Sequence, residues 1–259
     1  MPHQDPSIHQ VAAIIAASQR LVVLSGAGIS KESGIPTFRD ALDGLWARYD
    51  PEELATPFAF QRDPKLVWSW YEYRRELIAR SQPNPGHYAL VEMEKRLPQL
   101  VIVTQNVDGL HHEAGSSDVI ELHGNIRRNR CFQNCQGDPT IIDISTLEYD
   151  KDAGPPLCPH CGAFVRPNVV WYHEGLPEAA LRRAVELAVD ADVMLVVGTA
   201  GVVYPAARLP FTAYEAGATI IQINPQETPI NEVCRFHLDG PSGEILPLVL
   251  AAMPEPPDA

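Results

Sequence analysis

The 259-residue sequence lacks any apolar run long enough to cross a membrane. Its most apolar region, Val193 to Val197 and Val202 to Tyr204, is interrupted by Gly198, Thr199 and Gly201, whereas a spanning helix needs about 20 apolar residues. The opening stretch MPHQDPSIHQ has neither the basic segment nor the apolar core of a secretory signal. A cytoplasmic chain without a membrane partner is therefore expected. Positive charge is also scarce: 20 basic residues face 33 acidic ones, a net charge of −13. That balance opposes non-specific binding to a phosphate backbone, so no nucleic-acid partner is expected, and it is mildly compatible with cationic, lysine-containing substrates. Cysteine is sparse and odd in number, five in all, with four of them in two close pairs. In a chain without a leader this reads as a metal site more readily than as a disulfide framework. The fifth, Cys234 in NEVCRFH, has no helix N-terminus beside it to activate the thiol and reads as a small buried apolar residue.

What is present is 45% hydrophobic composition, enough for a substantial core. Near-continuous apolar runs, Leu21 to Ser25, Leu100 to Gln105, Asp118 to His123, Val193 to Thr199 and Ala218 to Asn224, predict strands buried on both faces. Helical patterns lie between them at Ile8 to Ser18, Pro64 to Ser81, Gly86 to Arg96, Glu178 to Val189 and Pro205 to Ala216. The alternation predicts an α/β fold with a doubly wound parallel sheet, whose ligands sit beyond the carboxyl ends of the strands. Two regions break the rhythm. One is helical without a strong strand; the other is polar, carries the paired cysteines, and is too short to bury a core without a metal. This divides the chain into a large domain of residues 8–36, 87–126 and 167–250, and a small domain made of a helical insertion, 37–86, and a metal module, 127–166. The tail AAMPEPPDA is expected to be disordered.

Four segments carry chemistry. In LVVLSGAGISKESGIPTFRD, Gly26-Ala27-Gly28 follows a strand as in a dinucleotide fingerprint, but Lys31 stands where the third glycine belongs. Gly34 and Pro36 should end any helix at once and leave a loop with Phe38 and Arg39 at its end, able to close over a ligand. A tight strand-to-helix turn would also explain G-x-G. In TQNVDGLHHEAG, Gln105, Asn106 and Asp108 leave the end of a strand, and an Asn and Asp so spaced can bond both ends of a carboxamide. The alternative is an Asx turn at Asp108-Gly109; His111 and His112 read as helix or surface residues. His123, in IELHGNI, stands at a predicted strand end as a candidate general base. Cys131-x3-Cys135 and Cys158-x2-Cys161 form two knuckles whose four thiolates leave no open position on a tetrahedral zinc, so the metal would be structural.

Together with VVGTAGVVYPAA and INPQETP, in this order, these segments resemble the sirtuins, NAD-dependent protein-lysine deacylases, over about Leu21 to Pro247. The resemblance implies a Rossmann-type large domain and a small zinc-ribbon and helical domain, with NAD and acyl-lysine meeting between them. It implies that Gly26, Ala27, Gly28, Ile29, Ser30, Pro36, Phe38 and Arg39 bind NAD, with Phe38 shielding the reacting ribose carbon. Gln105 would contact the ribose; Val107 would line the same pocket. Asn106 and Asp108 would hold the carboxamide, and His123 would accept the proton. Gly198, Thr199, Ala200, Asn224, Pro225, Gln226 and Ser242 would grip the phosphates and adenosine. Substrate would lie against Val169, Val170 and Tyr172, and one structural Zn2+ would sit on the four cysteines. The products would be nicotinamide, O-acyl-ADP-ribose and free lysine.

A narrower resemblance concerns the acyl group. Tyr71 and Arg74, three apart on a predicted helix, share a face and make a receptor for a carboxylate. With Ala55 they are similar to the desuccinylase and demalonylase subgroup, which implies succinyl-, malonyl- and acetyl-lysine as substrates. The alternatives are a mono-ADP-ribosyltransferase and a non-catalytic NAD-binding sensor. Two departures stand out: Ala200 where the family usually has Ser, and Val170-Trp171-Tyr172-His173-Glu174 where its substrate strand has glycine in the His173 place.

Overall fold

The computed structural model describes residues 6–37, 49–150 and 152–254. Its strands are β1 (Leu21–Ser25), β2 (Leu100–Thr104), β3 (Val119–Glu121), β4 (Gly124–Cys131), β5 (Val165–Val169), β6 (Val193–Val197), β7 (Thr219–Ile223) and β8 (Phe236–Leu238). Its helices are α1 (Pro6–Ala17), α2 (Gly28–Lys31), α3 (Pro51–Leu54), α4 (Pro57–Arg62), α5 (Pro64–Ala79), α6 (Pro85–Arg96), α7 (Leu110–Ala114), α8 (Glu178–Asp190), α9 (Leu209–Glu215) and α10 (Ser242–Ala252). Among the described residues no helix is long and apolar enough to cross a membrane.

Six strands form one parallel sheet in the order β3-β2-β1-β6-β7-β8. The expected doubly wound sheet is present, with β8 as an edge strand beyond the five expected. All five residues of β1, β2 and β6 are buried, because helices cover both faces. Leu21 and Val23 pack with Leu90 and Met93 of α6, Ile15 of α1 and Leu246 of α10. Val22 and Leu24 turn the other way, toward Ala184 and Leu187 of α8 and Leu209 of α9. The order reverses between β1 and β6, so the crevice opens at the carboxyl ends of those two strands.

The helical insertion packs in a third cluster shared with the β4 and β5 region. Leu54, Phe60, Val67, Trp70 and Tyr71 of the helical insertion pack with Ile126, Val169 and Trp171. A capping residue followed by proline starts three helices: Thr56 accepts from the Ala59 N–H at 3.0 Å, Asp63 from Leu66 at 2.9 Å and Asn84 from Gly86 at 2.9 Å. The antiparallel pair β4 and β5 carries the cysteine module. There the buried apolar cluster is only Cys131, Ile142, Cys158 and Val165, so two of its four members are candidate metal ligands.

Candidate functional site

At the switch point the glycines are required by packing between two loops. A Cβ on Gly26 would lie 2.7 Å from the Thr199 Cβ, one on Gly28 2.7 Å from the Gly198 Cα, and one on Gly198 2.5 Å from the Ile29 nitrogen. The Gly28 N–H donates to the Gly198 carbonyl at 2.8 Å, so that amide is already engaged. The single turn of α2 then buries Ile29 and Ser30 and stops, with Gly34 in the left-handed region at φ 82°. No helix continues that would need a third glycine. Two side chains fasten the turn. Asn84 donates to the Ile29 carbonyl at 2.7 Å and to Ser33 Oγ at 3.0 Å. Glu32 accepts from the Gly243 N–H at 2.6 Å and from Ser242 Oγ at 3.4 Å, placing a carboxylate on the N-terminus of α10, where it is favoured. Pro36 is partly buried beyond this turn; Phe38 and Arg39 lie outside the described residues.

The ends of β2, β6 and β7 are stitched together. Gln105 Nε2 donates to Thr199 Oγ1 at 3.0 Å, and Asn224 Nδ2 to the Thr199 carbonyl at 2.8 Å. Pro225 and Gln226 follow Asn224, whose Oδ1 accepts from the Gln226 N–H at 3.3 Å; Ala200 is exposed and Ser242 buried. Asn106 and Asp108 are both buried. Ser30 Oγ donates to Asp108 Oδ2 at 2.8 Å and accepts from Asn106 Nδ2 at 3.1 Å, while the Leu110 N–H donates to Asp108 Oδ1 at 2.8 Å. The Asx turn is thus formed and starts α7, with Gly109 left-handed at φ 79°. Burial raises the Asp108 pKa, and the hydrogen bonds from Leu110 and Ser30 oppose that rise. The Val107 carbonyl accepts from the Ile126 N–H at 2.9 Å, tying this segment to β4.

Strand β3 ends at Glu121, and His123 sits in the turn that leads to β4. Its Nδ1 lies 2.9 Å from the Gln105 carbonyl. Because a carbonyl only accepts, Nδ1 carries the proton and Nε2 is left as a lone-pair acceptor, without a protein partner among the described residues. Burial lowers the His123 pKa and the bond to Gln105 resists this, so the ring is neutral at pH 7. The His123 carbonyl accepts from Val170 at 2.9 Å and the Ala55 carbonyl from Tyr172 at 2.9 Å, and Val169 pairs with Gly124. These bonds gather Ala55, Val169, Val170 and Tyr172 beside the histidine. Buried Arg166 holds the same segment: it bonds Glu174 bidentately at 2.5 and 2.9 Å and donates to the Val169 carbonyl at 2.7 Å, while Glu174 accepts from the Trp171 N–H at 2.8 Å. His173, between them, is left-handed at φ 71°, in the place where the resemblance puts glycine.

Tyr71 is buried, and its hydroxyl accepts from Trp171 Nε1 at 2.8 Å. Burial drives its pKa up to about 12, so the phenol keeps its proton for donation. The partly buried Arg74 guanidinium stands 5.0 Å from the Trp70 ring centre. Burial lowers the Arg74 pKa, while the nearby Tyr71 and Asp108 raise it. One cation therefore serves the corner where the proposed acyl receptor meets Asp108.

Sequence reasoning missed the layer beneath. His111 belongs to a helix as expected, but it is buried: its Nε2 is 2.9 Å from Ser25 Oγ, which donates to Thr104 Oγ1 at 2.8 Å. Its ring lies 5.0 Å from that of fully buried His87. Burial drives the pKa values down to about 3 for His111 and about 4 for His87. Exposed His112, by comparison, faces Glu121 at 3.4 Å. Cys234 is partly buried against the core, and burial raises its pKa to about 12, in keeping with an apolar role.

The Sγ atoms of Cys131, Cys135, Cys158 and Cys161 all lie within 4.8 Å of one another, the one such group of metal-ligand side chains among the described residues. Two of the pairs are 3.5 and 3.8 Å apart. A tetrahedron with Zn–S bonds of about 2.3 Å has edges of about 3.8 Å, so the cluster suits one structural zinc ion.

A parallel sheet in this order, with amide, carboxylate and imidazole groups at its carboxyl edge and a four-cysteine module beside them, defines a nucleotide-binding α/β enzyme with a zinc-stapled small domain. The model of the Sir2 family matches residues 26–205, and the chain belongs to that family. It is 55% identical to a protein of Aquifex aeolicus named NAD-dependent protein deacylase, over 84% of this chain and 88% of that one. It is 50% identical to NAD-dependent protein deacylase 1 of Pseudomonas aeruginosa, over 93% and 96%. Among solved structures, a Sir2 homologue in complex with NAD superposes with a TM-score of 0.85 at 44% identity, covering 96% of this chain and 94% of that one.

Proposed function

We propose that this enzyme transfers acyl groups from lysine side chains of polypeptides to NAD, and that succinyl and malonyl groups are accepted as well as acetyl. When bound, NAD would supply a ribose carbon that exchanges nicotinamide for the oxygen of the acyl amide and a neighbouring hydroxyl that takes up the acyl group, with one water consumed as free lysine is released. The donor set fits such a ligand: Asn106 and Asp108 offer an amide and a carboxylate at the sheet edge, close to the glycine seam. Since both Asp108 oxygens are engaged, a carboxamide N–H reaches it by sharing or replacing Ser30. His123 accepts a ribose proton at Nε2, and the Gln105 carbonyl fixes the tautomer that leaves this atom free. Gln105 and Thr199 hold the floor, while Val170 and Tyr172 line the peptide side. A cytoplasmic setting belongs to this reading, because four unpaired thiols as zinc ligands suit a reducing compartment.

What supports the acyl preference is the position of Tyr71 and Arg74 one turn apart on α5, with the Tyr71 hydroxyl bonded to Trp171 and keeping its proton, and the Arg74 cation over Trp70. An anionic acyl carboxylate would gain charge-assisted hydrogen bonds there that acetyl cannot make. The test is mass analysis of matched acetyl-, succinyl- and malonyl-lysine peptides incubated with NAD. All three should lose their acyl groups with formation of nicotinamide and O-acyl-ADP-ribose, and His123→Asn should stop turnover. Arg74→Met should lower desuccinylation kcat/KM roughly 10- to 100-fold, as expected for a charged hydrogen bond, with a smaller change for acetyl. It is a cleaner probe than Tyr71→Phe, which strands the buried Trp171 N–H. Equal loss for both acyl groups would make the pair structural.

A further inference from the structure

We infer that Phe58 and His173 form a ledge beside the acyl-lysine site that receives an aromatic side chain of the substrate polypeptide next to the modified lysine. Flanking sequence, as well as the acyl group, then selects the substrate; this rests on the deacylase reading above. Phe58 is the second residue of α4 and is 70% exposed, while the next two residues, Ala59 and Phe60, are buried in the cluster shared with the β4 and β5 region. The Thr56 cap and Pro57 fix the start of that helix, so the outward position of Phe58 follows from the fold. Its ring centre lies 6.3 Å from that of His173, with the planes tilted by 59°.

His173 is held in the left-handed region, which favours a residue without a Cβ. The chain nevertheless keeps an imidazole there, pinned on one side by the Glu174–Arg166 pair and on the other by the bond from Tyr172 to Ala55. Through Ala55 and through the Val170–His123 bond, the ledge is continuous with the acyl-lysine wall. Tyr172, which precedes His173 and bonds the Ala55 carbonyl, is 37% exposed. Two tilted rings and a phenol, with no carboxylate among them, match an aromatic partner, since such rings favour offset or edge-on contacts at centroid distances of about 4.5–7 Å. Their place at the mouth of the lysine site makes the residues flanking the acyl-lysine the segment that reaches them.

The test uses one acyl-lysine peptide with Phe or Ala at each of the two positions on either side of the lysine. Binding to the enzyme is read by fluorescence anisotropy and turnover by KM and kcat. Phe at one of these positions should tighten binding and lower KM about fivefold, with kcat unchanged. The preference should vanish in Phe58→Ala and weaken in His173→Gly, while acyl-lysine without flanking residues is turned over equally by the wild type and Phe58→Ala. Equal binding of Phe and Ala peptides by the wild type, or a preference that survives Phe58→Ala, overturns the ledge and leaves the deacylase reading standing. No binding of any acyl peptide overturns that reading and the ledge with it.

Discussion

The buried histidine pair makes the fold sensitive to mild acid, and its size follows from the structure. His87 and His111 are held neutral, at about 4 and about 3, against an ordinary imidazole value of 6.5. The unfolded chain therefore takes up protons first as pH falls below 6.5, and stability is lost from there down toward the folded values. Each group removes about 1.4 kcal/mol per pH unit in that window. Between pH 7 and pH 5 this is about 2 kcal/mol for each ring and about 4 kcal/mol for the pair, a large share of a typical stability of about 5–15 kcal/mol. The contact between the rings is already contained in the lower His111 value, because a charge on one disfavours a charge on the other. His123, lowered by burial as well, acts with the same sign. The assay is urea unfolding followed by circular dichroism at pH 7, 6 and 5, for the wild type and His87→Asn. The asparagine oxygen still accepts from the Asn84 N–H that now bonds His87 Nδ1 at 3.3 Å. Comparing slopes with pH cancels whatever the substitution does to packing at pH 7. The variant should lose about 2 kcal/mol less than the wild type between pH 7 and 5. Parallel slopes, or a His111 ring that titrates near 6.5 by NMR, would refute the reasoning.

Two further outcomes follow from the small domain. Chelation of zinc should unfold the cysteine module, because half of its buried cluster consists of Cys131 and Cys158, and near-ultraviolet dichroism and deacylation should fall together with zinc content; a zinc-free protein with an unchanged spectrum would exclude a structural role. Glu174→Gln leaves the buried Arg166 guanidinium without a counter-charge, which should destabilise the fold by about 3–5 kcal/mol. Arg130, 3.4 Å from Glu174, loses the same counter-charge, so a thermal melt should fall by roughly 10 °C; a shift below about 2 °C would show that Arg166 does not depend on Glu174.

The central sheet was legible because LVVLS, LVIVT and VMLVV are apolar at every position but the closing Ser25 and Thr104, as a strand covered on both faces requires. Strand β8 was not, since three residues, Phe236 to Leu238, give no period. Helix α10 was hidden by Pro241 before it and Pro247 within it, both of which read locally as breaks although packing overrides them. The hairpin partner β4, GNIRRNRC, is polar because its side chains face clamps and solvent. Among the candidate site residues, the position of Asn106, Asp108 and His123 beyond the ends of β2 and β3 could be anticipated from the apolar runs before them. Glu32 could not, because its partner Gly243 is 211 residues away and only the folded sheet brings them together. His111 likewise gave no signal; its burial depends on the short helix that Asp108 starts.

The seam of Gly26, Gly28 and Gly198 has a consequence for redesign. Three positions without side chains, which the sequence separates by some 170 residues, let the loops after β1 and β6 meet backbone to backbone, and any added methyl group there collides with main chain. That seam tolerates no side chain on either loop. On the proposed function, new substrate preferences are therefore to be sought away from it, on α4 and the Val170–Glu174 segment.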